Sequence, residues 1–364
     1  MSASINLSTI RVNSIHYLRG LAAMIVVFHH SLIQVNAYLE VSPRTDLGSF
    51  GVDLFFIISG FVIWVATRRS TESVSRFLYK RLIRVVPLYW LMTCILALSF
   101  WTEPEAFRTT SLQMTHFVKS LLFVPHYNLG HPGEIWPLLI PGWTLNYEMF
   151  FYMVFGILLL FFRSRVLLML TLIFLALVLA GFLTSPSNAL LKIYTSDYLL
   201  EFWLGVVLAN LYLLGKFRKD SLWMGLVIMF AAVILASLSE AYRMQVANPG
   251  IFWGFPAALL VAGALIAEES GNFVKYRILF LLGDASYAIY LTHLFTLGAV
   301  RALWGDMIKI ESEPVQKWLF SVVGLLLSAA VGVVVHLLIE KPLLDALRRW
   351  RPRPWLTRAQ TDIR

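Results

Sequence analysis

The chain has 364 residues, of which 59% are hydrophobic and 14% charged, and its mean hydropathy is +0.73. Soluble domains are about 45–50% apolar and about 25% charged, so a water-soluble globular enzyme, a disordered chain and a small disulfide scaffold are excluded. The single cysteine, Cys94, can make no internal bridge, and the net charge of +9 calls for an anionic partner, nucleic acid or a membrane surface. With this apolar content the balance favours the membrane.

A helix crossing the hydrocarbon layer needs about 20 mainly apolar residues. Ten windows meet that need, roughly 17–36, 48–67, 85–101, 137–162, 166–185, 190–214, 222–239, 251–267, 278–300 and 318–340. Asp197 and Glu201 interrupt the sixth of them. The expected fold class is an all-α polytopic membrane protein. The first apolar stretch follows a polar start and has no small-residue cleavage site, so the first helix is expected to be retained. Most Lys and Arg fall on one side of the spans: Arg11 and Arg19, the run from Arg68 to Arg84, Arg163 and Arg165, Lys216 to Lys219, Lys275 and Arg277, and the tail. The positive-inside rule then places both termini in the cytoplasm and requires an even span count, which ten satisfies.

Residues 13–345 read as one transmembrane domain, followed by a basic cytoplasmic tail, 346–364. The tail segment Arg348-Arg-Trp-Arg-Pro-Arg-Pro-Trp355 suits an anionic lipid surface with Trp at the interface, and no nucleic-acid-binding fold accompanies it. The longest loop, 102–136, holds His116, His126 and His131 on the outer side, and loops of that length often serve as lids or binding segments.

Ionisable residues inside hydrocarbon are costly, so each one is a functional candidate. In the first span Arg19 and His30 lie three turns and about 20° apart, on one stripe and about 16 Å apart along the axis. Arg19 therefore sits near the cytoplasmic interface and His30 past mid-membrane. Imidazole is a general base near neutral pH, but His29 is its neighbour, and chemistry alone does not choose between them. Asp53 stands near the outer end of the second span. Arg81 and Arg84, at i and i+3, share a face at the cytoplasmic mouth of the third, where two guanidiniums suit phosphate and also suit ordinary topology. Glu148 lies about 10 Å below the outer end of the fourth span, a depth that makes His30 one sensible partner. Ser286, Tyr290 and His293 form a polar stripe climbing the ninth span. His336 and Glu340, at i and i+4, read as a structural pair. No metal-ligand cluster, Gly-rich phosphate loop or nucleophile elbow occurs.

Several of these segments together resemble the acyltransferase family 3 membrane proteins, which O-acylate cell-surface glycans and related acceptors. The resemblance rests, in order, on Leu18-Arg-Gly through His30, Gly51-Val-Asp-Leu-Phe-Phe-Ile-Ile-Ser-Gly-Phe61, and Arg81-Leu-Ile-Arg84 with Pro87 and Tyr89. It continues with Trp143-Thr-Leu, Glu148 and Tyr152, then Ser286-Tyr-Ala-Ile-Tyr-Leu-Thr-His293, then Glu340-Lys-Pro342. It implies ten transmembrane helices and transfer of an acyl group, usually acetyl from acetyl-CoA, to an acceptor hydroxyl. In the family's first-helix motif ten residues separate an arginine from a histidine, which selects His30 over His29. The same resemblance gives Arg81 and Arg84 a role near the donor. It points to the shorter, standalone type found among exopolysaccharide-modifying members, in the bacterial cytoplasmic (inner) membrane.

The mechanism expected from this reading has Arg81, Arg84 and Arg19 holding the CoA phosphates at the inner mouth. His30 acts as general base on the acceptor or as transient acyl carrier, and Glu148 orients it. Asp53, Tyr290 or His293 positions the acceptor, a lipid-linked or growing polysaccharide. Acyl-CoA is a co-substrate, and no metal is required. The competing readings are a flippase for a lipid-linked glycan, whose inverted repeat is not visible in the sequence, and a non-catalytic partner in polysaccharide export.

Overall fold

The computed structural model describes residues 12–39, 47–68, 72–102, 113–217, 222–243, 249–271, 275–307 and 313–350. Every regular element among them is helical. A long apolar run has few alternatives, because in lipid each backbone N–H and C=O must be satisfied internally. Eight helical segments are long and apolar enough to cross a membrane. They are built on α1 (Asn13–Tyr38), α2 (Leu47–Arg68), α3 (Val74–Thr102), α5 (Trp143–Phe161), α6 (Val166–Thr184), α9 (Leu222–Arg243), α11 (Arg277–Met307) and α12 (Glu313–Val335).

Two of the ten expected windows lie outside those eight. The window 190–214 is broken into α7 (Ala189–Tyr194) and α8 (Tyr198–Leu213), with the break at Thr195-Ser196-Asp197. Asn188 caps α7 by accepting from the backbone N–H of Leu190 and Leu191, so the chain starts a fresh short helix instead of a span. At 16 residues α8 is about 24 Å long, short of the hydrocarbon thickness. The window 251–267 is α10 (Pro249–Glu269), whose side chains at 249–252 lie outside the described residues. The amphipathic helices α4 (Met114–Leu121) and α13 (Lys341–Arg349) complete the set. The expected cytoplasmic placement of the termini falls on 1–11 and 351–364, outside the described residues.

The chain forms two compact units, Met1–Arg69 with Leu204–Ile339, and Ser70–Trp203 with Glu340–Arg364. Neither is continuous in sequence.

In the first unit α1 packs on α11, α2 and α12, and α10 packs on α9 and α2. At Gly20 an added Cβ would stand 3.1 Å from the backbone N of Gly283, so the absence of side chains lets α1 and α11 touch backbone to backbone. Ten residues further along each helix, His30 meets His293. The two helices are therefore parallel and hold register over about 15 Å. First and ninth spans should run in the same direction, and they do. Ala23, Val27, Ala285 and Ile289 fill the seam between them. The start of α1 has no capping side chain of its own. Glu268, at the end of α10, accepts from the backbone N–H of Asn13 and Ser14 at 2.8 Å each, supplying a carboxylate to the positive helix end.

In the second unit α3 packs on α5, α5 on α6 and α7, and α13 on α3. The core is aromatic: Phe151 meets Phe155, Phe174 and Phe202 at ring separations of 5.6, 6.2 and 4.7 Å. At Gly142, just before α5, a Cβ would lie 2.5 Å from the Tyr89 ring, so the start of α5 closes directly on mid-α3. From there α5 descends toward the Arg81 and Arg84 level of α3. In the segment before α5, the Tyr89 hydroxyl donates to Ser120 O at 3.1 Å and the Trp90 indole to Leu121 O at 2.8 Å, fixing α4 on α3.

Candidate active site

The expected site residues fall into two groups, one in each unit. In the first, α1 supplies His29 and His30, α11 supplies Tyr290 and His293, and α2 supplies Asp53. The His30 and His293 rings are 4.8 Å apart, and His29 sits edge-on to His30 at 5.2 Å. Phe55 packs against Tyr290 at 5.5 Å, and Asp53, two residues earlier on α2, is buried. At Gly48 a Cβ would stand 2.3 Å from the His29 ring, so that glycine makes the room His29 occupies.

The hydrogen bonds define the tautomers. Nδ1 of His30 lies 2.9 Å from the Val26 carbonyl, and Nδ1 of His293 lies 2.7 Å from the Tyr290 carbonyl. A carbonyl only accepts, so in each ring Nδ1 carries the proton and Nε2 keeps its lone pair. His293 is wholly buried, and its Nε2 has no hydrogen-bond partner among the described residues. Two imidazoles thus offer basic nitrogens in one cluster, each held by the helical carbonyl of its own turn. The stripe read from the ninth span is real at Tyr290 and His293. Ser286 donates to Gly283 O at 2.9 Å and serves the helix itself. Arg19 is half-buried on α1, about 16 Å along the axis from His30.

The second group gathers Arg81 and Arg84 from α3 with Glu148 and Tyr152 from α5. The Tyr152 hydroxyl donates to the Glu148 carboxylate, and both guanidiniums are charge neighbours of that hydroxyl. Glu148 therefore has a partner within its own unit and stands near the arginine pair. Arg84 donates to Glu340 at 3.0 Å, and Glu340 is only 2% exposed. This contact escaped the sequence reading because the partners are far apart in the chain and Glu340 looked like the i+4 neighbour of His336. Residues His336–Glu340 instead form a π-helical turn, whose extra residue alters the register before α13 begins. A second missed contact joins buried His16 to Asp284 at 3.3 Å, near the Gly20–Gly283 crossing.

On the same corner of the second unit a cavity of about 490 Å³ opens between α3 and α13. Arg76, Lys80, Arg81 and Arg84 line one wall and Arg348 the other. Glu72 takes Lys80, Glu340 takes Arg84 and Asp345 stands 3.7 Å from Arg348, and the lining, with Arg76 and Arg81, remains cationic. Among the described residues no group of three or more His, Cys, Asp or Glu is arranged to hold a metal ion.

The long loop between α3 and α5 carries a third pair. His116 and His126 stand edge-on, 4.6 Å apart, and burial together with the neighbouring imidazole pushes His116 down to about 4. Burial lowers His126 as well. Residues 103–112 of that loop lie outside the described residues.

Residues 12–337 match the family described as an acyltransferase domain. The chain is 35% identical over 321 residues to the exopolysaccharide production protein ExoZ of Rhizobium meliloti (strain 1021), covering 87% of this chain and 95% of that protein. It is 27% identical over 380 residues to the acyltransferase MdmB of Streptomyces mycarofaciens, covering 94% of each. No solved structure matches.

Proposed function

The chain belongs to the acyltransferase family, and from that premise we propose that it moves an acyl group, acetyl by preference, from acyl-CoA to a hydroxyl of a surface polysaccharide or lipid-linked glycan. The eight spanning helices and the family make it a multi-pass membrane protein. The proposed location is the bacterial cytoplasmic membrane, where acyl-CoA is supplied from inside. The polysaccharide acceptor is supported by the name of the exopolysaccharide relative.

The observation that carries the chemistry is the pair of Nδ1–H tautomers at His30 and His293. His30 Nε2 takes the proton of the acceptor hydroxyl as its oxygen bonds to the thioester carbonyl carbon. The C–S bond then breaks, and the CoA thiolate leaves with that proton from the imidazolium. His293, 4.8 Å away ring to ring, is a second neutral base that shares the positive charge while it lasts. Tyr290 and Asp53 hold the acceptor beside them. The donor's phosphates fall to the cationic lining around Arg81 and Arg84, with Arg19 as a further cation on α1. Glu148 acts within its own unit, where with Tyr152 it sets the charge balance around the two guanidiniums. Acyl transfer from a thioester to an alcohol needs no metal.

The test is direct. Purified protein is incubated with radiolabelled acetyl-CoA and surface polysaccharide from a strain lacking the gene. Label should enter base-labile ester on the polysaccharide with wild type and should fail to do so with His30→Gln. Equal labelling by both would end the assignment of His30.

A further inference from the structure

Beyond the arginine pair, the cavity of the second unit has a wall that the sequence reading assigned to a lipid anchor. Helix α13 lies on α3 through buried Leu344, and the Tyr79 hydroxyl donates to the Leu347 carbonyl at 2.8 Å. The same carbonyl accepts the backbone N–H of Trp350 at 3.1 Å. One oxygen therefore ties the phenol of α3 to the residue that ends α13. Trp350 leaves the helix in extended conformation (φ −79°, ψ 92°). Its indole is 80% exposed, yet it lines the cavity together with Tyr79 and Arg348. The ring thus stands at the rim of a cationic cavity. Aromatic planes beside guanidinium and ammonium groups are what a nucleotide requires: the base stacks while the cations take its phosphates. At about 490 Å³ the space is in the range that holds a molecule of that size.

We propose that the cavity between α3 and α13 binds the nucleotide half of the acyl donor, an adenosine carrying 3′- and 5′-phosphates. Trp350 stacks on the base, and Arg348 joins Arg76 and Lys80 on the phosphates. This rests on the acyl-CoA reading above and adds the residues that recognise the end of the donor remote from the reaction. Helix α13 is thereby part of the binding machinery, and Arg348 and Trp350 determine which thioesters are accepted.

The experiment is calorimetric titration of the purified full chain with adenosine 3′,5′-bisphosphate, followed by acyl transfer from two donors. Wild type should bind the bisphosphate. Trp350→Ala should weaken it about tenfold, Trp350→Phe should restore most of the loss, and Arg348→Ala should weaken it by a similar factor. In transfer, Trp350→Ala should raise KM for acetyl-CoA about tenfold at unchanged kcat, and should leave a truncated acetyl thioester lacking the nucleotide unaffected. No binding by wild type, equal binding by Trp350→Ala, or displacement of the bisphosphate by phosphatidylglycerol vesicles would overturn the proposal, the last by making the cavity a lipid-headgroup site. The donor reading fails separately: the bisphosphate would bind as described while acetyl-CoA gave no transfer. Because Trp350 is exposed, both substitutions leave the packing of α13 intact, and an unchanged unfolding temperature checks this.

Discussion

In the first unit His293 is wholly buried and its Nε2 finds no partner among the described residues, whereas in the second Arg84 borders an open cavity and still holds Glu340. The contrast follows from charge. A neutral imidazole loses about 1–3 kcal/mol for one buried unsatisfied nitrogen, which a bundle can absorb. A guanidinium cannot shed its charge, so it needs a counter-ion, water or a phosphate. The same apolar chain can therefore keep a basic lone pair buried in the bundle and keep its anion-binding groups beside an open cavity. A proton acceptor gains from the first setting, and a site for a polyphosphorylated donor gains from the second.

The largest expected effect breaks the histidine cluster. His30→Gln should lower the rate of transfer by about 10²–10⁴-fold, the usual contribution of a positioned general base, and leave CoA binding as in wild type. Rapid-quench transfer kinetics beside a CoA titration would check it. Next comes the ion pair. Glu340 is 2% exposed and Arg84 25%, so removing the arginine strands the more buried charge. Arg84→Ala should cost about 3 kcal/mol, and Glu340→Gln clearly less, in denaturant titrations of the detergent-solubilised chain. The reverse order would mean that the guanidinium, not the carboxylate, depends on the pair. Arg81→Ala should raise KM for acetyl-CoA about tenfold without changing kcat, a loss of one charge-assisted contact.

The smallest effect concerns the long loop between α3 and α5. His116 is held near 4 in the folded chain against 6.5 when unfolded, so its neutral form is favoured by the fold. That contribution is complete above about 6.5 and is lost as pH falls toward 4, because the unfolded chain takes up the proton first. Hydrogen exchange over residues 114–126, corrected for the intrinsic exchange rate at each pH, should accelerate across that window in wild type and clearly less in His116→Asn, where His126 still titrates.

Much of this was legible in the chain. The spacing from Arg19 to His30, the Tyr290–His293 stripe and the Arg81–Arg84 pair are all periodic, so helical geometry alone put each on a face. The parallel course of α1 and α11 followed from counting spans. What could not be read were contacts that depend on how distant segments meet. Glu340 reaches Arg84 across 256 residues, and the π-turn that alters its register has no compositional mark. The break at Thr195-Ser196-Asp197 was visible as polar residues in a span, but an Asn cap turning it into two short helices was not weighed. The tail reads as an interfacial anchor because its tryptophans stand among basic residues, and the place of Trp350 in the cavity lining depends on how α13 meets α3.

The central claim is that proton transfer belongs to the histidine cluster and donor recognition to the arginine cavity. One measurement separates them: transfer rate and CoA affinity determined side by side for His30→Gln and Arg81→Ala in the same detergent preparation. The account predicts that His30→Gln loses transfer and keeps affinity, while Arg81→Ala loses affinity and keeps its maximal rate. If either substitution moves both quantities together, the division of labour is wrong.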